Sequence, residues 1–513
     1  MHETRRLEQR SVAVESDEPP LSQRRYCSAL PSTGRARERC PLLSCRIGSR
    51  TGYTRKVMEW QEAVMEIATV TRLLRAAGVR WVRIEMADTH GIARSKSVPL
   101  DKFPLYGTKG INFYGGMLLQ DASGWDIPLE ERLPPPDYLL KPDLDTLVVL
   151  PHAPGEARVI GDLYRDDAPA PEDPRVVCRR IVDLYRSHGW TPRSGFEYEF
   201  YLLVAATREP VFRDKQICST VRNNFDPAWR DELLEALEAH GIVVSTLSVE
   251  NAPGQFEITF SPADGLTAAD QAFSFRTTVK EVSRKHGYLA PFMTKPFIDQ
   301  AASGTHLHHS LVDCRTGENL FADPEGEYGL SELAWHFLGG LFHHARALIA
   351  FFSPTPNDYK RYQPGLFAPT SICWGYDNRS AAFRIPADAH GAKARIENRL
   401  GGAAANPYIA LAASLAAGWD GIQRRLRPPA PIQKDVGWLE GLPPLPRSLD
   451  EALDALEADR TLCDVLGRPF VETYIAVKRW DAEKCRRRCP DYGTPEWLRR
   501  IDPYEWEEYG ELI

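Results

Sequence analysis

Glu197 and Glu199 stand two residues apart in GFEYEFYLL, a stretch with the composition of a β-strand. Side chains alternate across a strand, so both carboxylates point to one face while Phe196, Tyr198 and Phe200 point to the other. The device recurs along the chain. VENAPGQFEITF places Glu250 before a Pro-Gly turn and Glu257 inside the strand that leaves it. SGTHLHHSL puts His306 and His308 on one strand face, and ARIENRL sets Glu397 between Arg395 and Arg399 at alternate positions. One such Glu is ordinarily solvent-facing, and a lone His-x-His is ordinarily a surface pair. Five carboxylates and an imidazole on otherwise apolar strands ask for more, because buried like charges are costly unless cations accompany them. Oxygen-rich ligation with one imidazole suits hard divalent ions such as Mg²⁺ or Mn²⁺, and two ions are needed to balance five carboxylates.

A basic group accompanies the acidic one. NDYKRYQPG supplies Lys360 and Arg361, DNRSAAFRIP supplies Arg379 and Arg384, and Arg399 follows Glu397. Guanidinium groups grip phosphate and carboxylate in a forked, bidentate way. Two hard metals beside an arginine clamp point to phosphoryl transfer from a nucleotide. The plain alternative is salt bridging between these glutamates and arginines, open above all for Arg395. A carboxylate-pair hydrolase accounts for the glutamates but leaves the arginines unexplained.

The elements that must position these side chains read as an alternation of strands and helices. Strands are expected at 195–203, 242–249, 255–260, 304–311, 380–385 and 393–398. Helices are expected at 227–240, 264–286, 329–352, 406–425, 448–458 and 468–486, with FHHAR and ALIAFF in one continuous amphipathic helix. Upstream, a helical pattern stops at Gly78, and VRWVRIEMADTHGIARSKSVPL alternates as a hairpin around Thr89–Gly91. A domain boundary is expected near 165–172, which divides the chain into an N-terminal domain at 58–168 and a larger domain at 169–513. Residues 1–57 carry twice as many Lys and Arg as Asp and Glu, with no hydrophobic period. They read as a disordered extension, with a targeting segment or translation from Met58 as the alternatives. No GxGxxG or Walker loop follows a strand, so nucleotide binding by those routes is not supported.

Composition bounds the function classes. The 513 residues are 43% hydrophobic and 26% charged, with a formal net charge of −7. A mildly acidic balance argues against general nucleic-acid binding, and no apolar run approaches the roughly 18 residues of a membrane span. Ten scattered cysteines form no disulfide framework. Cys485 and Cys489 lack a second ligand pair for zinc, so a reduced, cytoplasmic setting is expected.

From about residue 80 to 510 the chain resembles the glutamine synthetase family. The matching stretches are FEYEF, ENAPGQFEI, SGTHLHHSL, NDYKRYQPG, WGYDNRSAAFRIP and RIENRLGGAAANPYIALAASLAAGWDGI, in family order and spacing. The hairpin at 79–99 and the run QAFSFRTTVKEVSRKHGYLAPF are especially similar to lengsin, a non-catalytic family member of the eye lens. The resemblance implies an α+β fold, with a small N-terminal β-grasp domain and a catalytic domain on a curved antiparallel sheet. It also implies stacked homo-oligomeric rings, a role in nitrogen metabolism, and ATP with two Mg²⁺ or Mn²⁺ ions. Carried over motif by motif, Glu199, Glu250 and Glu257 would hold one metal, and Glu197, His306 and Glu397 the other. His308 would lie towards the nucleotide, Arg361 would meet the acidic substrate, and Arg379, Arg384 and Arg399 would handle phosphates. The implied reaction is attack of glutamate's γ-carboxylate on ATP, then attack of an amine on the γ-glutamyl phosphate.

Three departures fall on the amine and amino-acid side. Phe367 in PGLFAP stands where ammonia-using relatives carry a proton-accepting glutamate. Ala301-Ala302 replaces the Asn-Gly that holds the amino-acid substrate. INFYGGMLLQDASGWDIP has no clear match to the family's acidic loop, although Asp121 and Asp126 lie in it. These point to a γ-glutamyl-amide synthetase acting on an amine bulkier than ammonia, and the lost Asn-Gly leaves room for another acid. Glutamine synthesis proper and a non-catalytic, lengsin-like ring protein are the rival readings, though a retired enzyme has no reason to keep six metal ligands. In WLEGLPP, Glu440 stands where the classical bacterial enzymes are adenylylated on tyrosine, so no such modification is expected.

Overall fold

The computed structural model describes residues 66–128, 137–365 and 368–513. The expectation for residues 1–57 and the position of Phe367 lie outside the described residues. After a helix at 66–76 come strands β1 (Trp81–Ala87), β2 (Ala93–Pro99), β3 (Ile111–Phe113), β4 (Tyr138–Pro142), β5 (Val148–Val149), β6 (Glu156–Arg165) and β7 (Ala168–Pro169). They form one sheet in the order β2-β1-β6-β4-β3, with β5 and β7 also on β6. Its central pair, β1 and β6, is parallel. The hairpin read from alternation is β1 and β2, in register from Trp81–Pro99 to Ala87–Ala93.

The second part carries β8 (Trp190–Tyr201), β9 (Leu203–Val204), β10 (Val244–Val249), β11 (Gln255–Phe260), β12 (Ala263–Asp264), β13 (Tyr288–Leu289), β14 (Gly304–Asp313), β15 (Trp374–Tyr376), β16 (Phe383–Ile385) and β17 (Ile396–Gly402). Apart from the small β9–β13 pair, these make an eight-stranded sheet curled into a half-barrel, in the order β10-β11-β8-β14-β17-β16-β15, with β12 beside β8. The expected α+β fold class holds.

What keeps the charged strand in place is its aromatic face. Phe196, Tyr198 and Phe200 are fully buried. Tyr198 stacks on Phe275 at 5.2 Å and meets Phe292 edge-on at 5.8 Å, while Phe200 stacks on Phe292 at 5.4 Å. Such pairs add roughly 0.5–1.5 kcal/mol each beyond the burial of their area. Phe275 belongs to the helix Thr267–Lys285, which lies behind the sheet. The helix Pro174–Arg186 joins the two sheets through Arg175, which donates to Asp143 of the first, to Asp162 on β6 and to Asp270 of the helix behind the second, at 2.6–2.9 Å.

One expected helix divides. Residues 329–352 form two helices, Glu332–His343 and Ala345–Phe352, broken at His344. The apolar pattern runs through the break, so periodicity alone does not reveal it. The cause is tertiary: buried His344 bonds Asp459 through Nδ1 at 2.6 Å and Asp420 through Nε2 at 3.0 Å. Burial works against its charge, but the two aspartates overcome it and hold the imidazole pKa above its usual value, with His343 and Arg424 as the other ionisable neighbours. A raised folded pKa contributes stability that is complete below the unfolded value of about 6.5 and is lost as pH rises through the folded value. His344→Gln should therefore destabilise the protein by about 3 kcal/mol at pH 6. Thermal melts across the pH range should show the gap narrowing towards pH 9; a gap that does not change with pH contradicts this account.

Candidate active site

The sheet register builds the site. On β8 and β11, Glu199 faces Glu257 and Glu197 faces Thr259. On β8 and β14, Glu197 faces His306, and on β14 and β17, His308 faces Glu397. Glu250 follows the end of β10, at the turn into β11. The hairpin and strand order thus bring Glu197, Glu199, Glu257, His306, His308 and Glu397 onto neighbouring strands of one sheet.

Within that sheet the tightest group is Glu197, Glu257 and His306, each offering a ligand atom within 4.8 Å of the others. His306 Nδ1 lies 2.7 Å from Glu197 Oε1 and 3.8 Å from Glu397 Oε1, and His308 Nε2 lies 3.6 Å from Glu197 Oε2. Glu199 accepts from the Gly304 amide at 2.9 Å and from Gln255 Nε2 at 3.3 Å. Glu397 accepts from Arg399 at 2.6 Å and Arg384 at 2.8 Å, and Arg384 continues to Asp377 at 2.6 Å. Arg361 is buried against Gly304, where a Cβ would come within 2.9 Å of its guanidinium and push it aside.

Electrostatics divide the carboxylates. Burial opposes ionisation of Glu197, yet hydrogen bonds from His306 and His308 hold it well below the usual carboxylate range. Glu397 is likewise opposed by burial, and Arg399 brings it down to about 2. The other side is short of positive charge. Burial and the neighbouring Glu199 push Glu250 up to about 7. Burial, with Glu197, Glu199 and Glu250 around it, pushes Glu257 up to about 10. The crowded carboxylate oxygens and one imidazole of the Glu197, Glu257 and His306 group fit a hard divalent ion, and that group takes one member from the first expected metal set and two from the second.

A cleft of ≈ 520 Å³ opens beside the group, and its lining includes Glu197, Glu257, His308, Arg379 and Arg384. Arg193, Lys393 and Arg395 add a basic rim that the sequence motifs did not single out. Arg395 pairs with Asp388 at 2.7 Å and Arg193 with Asp264 at 2.7 Å, whereas Arg379 has no carboxylate partner among the described residues. Lys360 leaves the basic group: its Nζ is buried on Glu505 at 2.5 Å and on the Arg500 carbonyl at 2.7 Å. Gln255 went unread as a site residue, although alternation places it on the face of Glu257; it joins Glu199 to the Ala302 carbonyl at 3.2 Å. Tyr201 donates to the Ala301 carbonyl at 2.6 Å, so the Ala301-Ala302 backbone is fixed beside Glu199. Asp121 and Asp126 serve their own loop: Asp121 accepts from Ser123, Trp125 and Lys484, and Asp126 from Tyr114 and Gln120.

Comparison with known proteins agrees with this geometry. The family described as "Glutamine synthetase, catalytic domain" matches residues 171–495. The chain is 35% identical over 461 residues to the glutamine synthetase of Methanocaldococcus jannaschii, covering 85% of this chain and 98% of that protein. It is 36% identical over 462 residues to the glutamine synthetase of Thermus thermophilus, covering 86% and 97%. Among solved structures, one described as "Apo GmaS without ligand" superposes with a TM-score of 0.74 at 30% identity, covering 85% of this chain and 98% of that one. A GmaS complex with ADP gives a TM-score of 0.73, also at 30% identity, covering 82% and 99%. The chain belongs to the glutamine synthetase family of carbon–nitrogen ligases.

Proposed function

We propose that the protein joins the γ-carboxylate of glutamate to an organic amine bulkier than ammonia, at the expense of ATP. The observation that carries this reading is an asymmetry. Every acidic, imidazole and guanidinium position expected for metals and phosphates is kept, whereas Phe367 and Ala301-Ala302 replace polar groups on the amine and amino-acid side. The likeness to GmaS, a γ-glutamylmethylamide synthetase, favours an alkylamine acceptor. Glutamine formation from ammonia is the second reading, favoured by the names of the relatives in sequence.

In this reading Glu199, Glu250 and Glu257 hold one divalent ion, and Glu197, His306 and Glu397 the other. When bound, the two ions neutralise phosphate oxygens. Arg379 and Arg384 grip the polyphosphate from the cleft wall, with His308 towards the nucleotide. Arg399 meets the acyl phosphate, and Arg361 binds the acid beside Gly304. The acid's carboxylate oxygen bonds to the terminal phosphorus as ADP leaves. The amine nitrogen then attacks the acyl carbon, phosphate departs and the nitrogen loses a proton. Water must be excluded, because it hydrolyses the acyl phosphate. A phenyl ring at 367 accepts no proton but offers an apolar surface to an alkyl or aryl substituent. The subunits are proposed to assemble as stacked rings and to act in the cytoplasm, a setting that suits the seven unpaired cysteines among the described residues.

The test is a phosphate-release screen of purified protein with ATP and Mg²⁺ against paired acids and amines. Glutamate with a small alkylamine is expected to give the highest turnover. Higher turnover with ammonium than with any organic amine would sink the proposal.

A further inference from the structure

A second cavity, of ≈ 180 Å³, lies on the far side of the aromatic layer that backs the charged strand. Four parts of the chain enclose it: the hairpin turn at Gly91–Ala93, the helix Thr267–Lys285, the segment Tyr288–Ala290 that follows the helix, and the segment Glu511–Leu512. Arg276 and Lys280, one helical turn apart, both line it. Arg276 is 3% exposed, donates to the Ala405 carbonyl at 3.1 Å, and leaves its Nε without a partner. Lys280 donates only to the Glu511 carbonyl, at 3.1 Å. Both cations lie over the Phe292 ring, at 5.4 and 5.7 Å.

Glu281 and Glu511 also line the cavity, and their carboxylates pair with other cations. Glu281 bonds Arg83 at 2.5 Å and His152 at 2.9 Å, and Glu511 lies 3.9 Å from the exposed Arg284. Among the described residues neither Arg276 nor Lys280 has a carboxylate within salt-bridge distance. Burial depresses the pKa of both, and for Lys280 the adjacent Arg276 and Arg284 add to the effect. Gly91 closes the wall with a φ of 78°, and a Cβ there would come within 3.1 Å of the Arg276 guanidinium. Arg276 is buried and Lys280 half-buried, and two cations converging on one small cavity, neither met by a carboxylate, are a receptor for negative charge.

We propose that this cavity binds one small oxyanion per chain, a phosphate or a short dicarboxylate, held by Arg276 and Lys280. Such a ligand neutralises the two cations and ties the hairpin turn to the helix and to Glu511–Leu512. The site is separate from the carboxylate cleft and does not depend on the reaction assigned to that cleft.

The experiment is titration calorimetry of the full chain with inorganic phosphate, and separately with glutarate. Both are run in an Arg379→Gln background, to weaken phosphate binding in the catalytic cleft. One saturable site is expected for one of the two anions, and which anion saturates identifies the source. Lys280→Gln should weaken that binding by about tenfold or more, and Lys280→Arg should retain it. Thr277→Glu, which places a carboxylate on the cavity wall, should abolish the binding and raise the melting temperature. Failure of both anions to saturate the parent protein overturns the proposal. So does Lys280→Gln or Thr277→Glu binding as well as the parent.

Discussion

Glu257→Gln is expected to lower ligase turnover by about a thousandfold while making the metal-free protein more stable. Glutamine matches glutamate in shape, so the aromatic packing of the sheet is undisturbed. The substitution removes the carboxyl that burial and the neighbouring Glu197, Glu199 and Glu250 disfavour most as an anion. Without metal the Glu257 carboxyl, pushed up to about 10, must take up a proton to be buried here, and a neutral amide of similar volume removes that cost, about 1–2 kcal/mol in this setting. In the proposed site the same carboxylate would hold a divalent ion that neutralises phosphate oxygens, and losing one electrostatic contributor of that kind costs about 10²–10³ in rate. Thermal melts with and without Mg²⁺, beside steady-state turnover, check both halves. The variant should melt higher than wild type without metal and gain less from adding it. A variant that keeps wild-type turnover removes Glu257 from the metal site.

Lys360→Met is expected to cost about 3–5 kcal/mol of stability, because it leaves the buried Glu505 carboxyl group without its cation. Both side chains of the pair are wholly buried. Glu505 also accepts from Asn357 at 3.0 Å and from the Asp502 amide at 2.8 Å, and Lys360 lies 3.9 Å over the Trp497 ring. The pair therefore joins the short helix Pro356–Arg361 to the helix Pro503–Tyr509, and Arg361 is the next residue along. The melting temperature should drop by roughly 3–5 °C, and the KM for the acid substrate should rise more than the KM for ATP. Adding Glu505→Leu should recover part of the stability, since an apolar pair of similar volume needs no counter-charge. A loss below about 1 kcal/mol in the single variant contradicts this account of the pair.

Much of the site was legible because it is written in strand alternation. The strand expected at 255–260 is β11, and the expected strands at 195–203 and 304–311 contain the charged parts of β8 and β14. Alternation needs only local sequence, so Glu197, Glu199, Glu257, His306 and His308 declared their faces. Other features depended on distant partners. The break at His344 is set by Asp420 and Asp459, which lie 76 and 115 residues away. Lys360 looked like a member of the arginine clamp because its partner Glu505 is 145 residues further on. The strand expected at 393–398 begins instead at Ile396 and extends to Gly402, since pairing with β14 and β16, more than local propensity, sets its ends. Gln255 was visible in the motif but carried no charge to draw attention, and only its contact with Glu199 shows that it belongs to the site.

The choice of acceptor is the central claim, and a direct competition tests it. Purified protein with glutamate, ATP and Mg²⁺ receives equal concentrations of ammonium and methylamine, and the products are counted by mass spectrometry. The account predicts γ-glutamylmethylamide in excess of glutamine; glutamine in excess would contradict it.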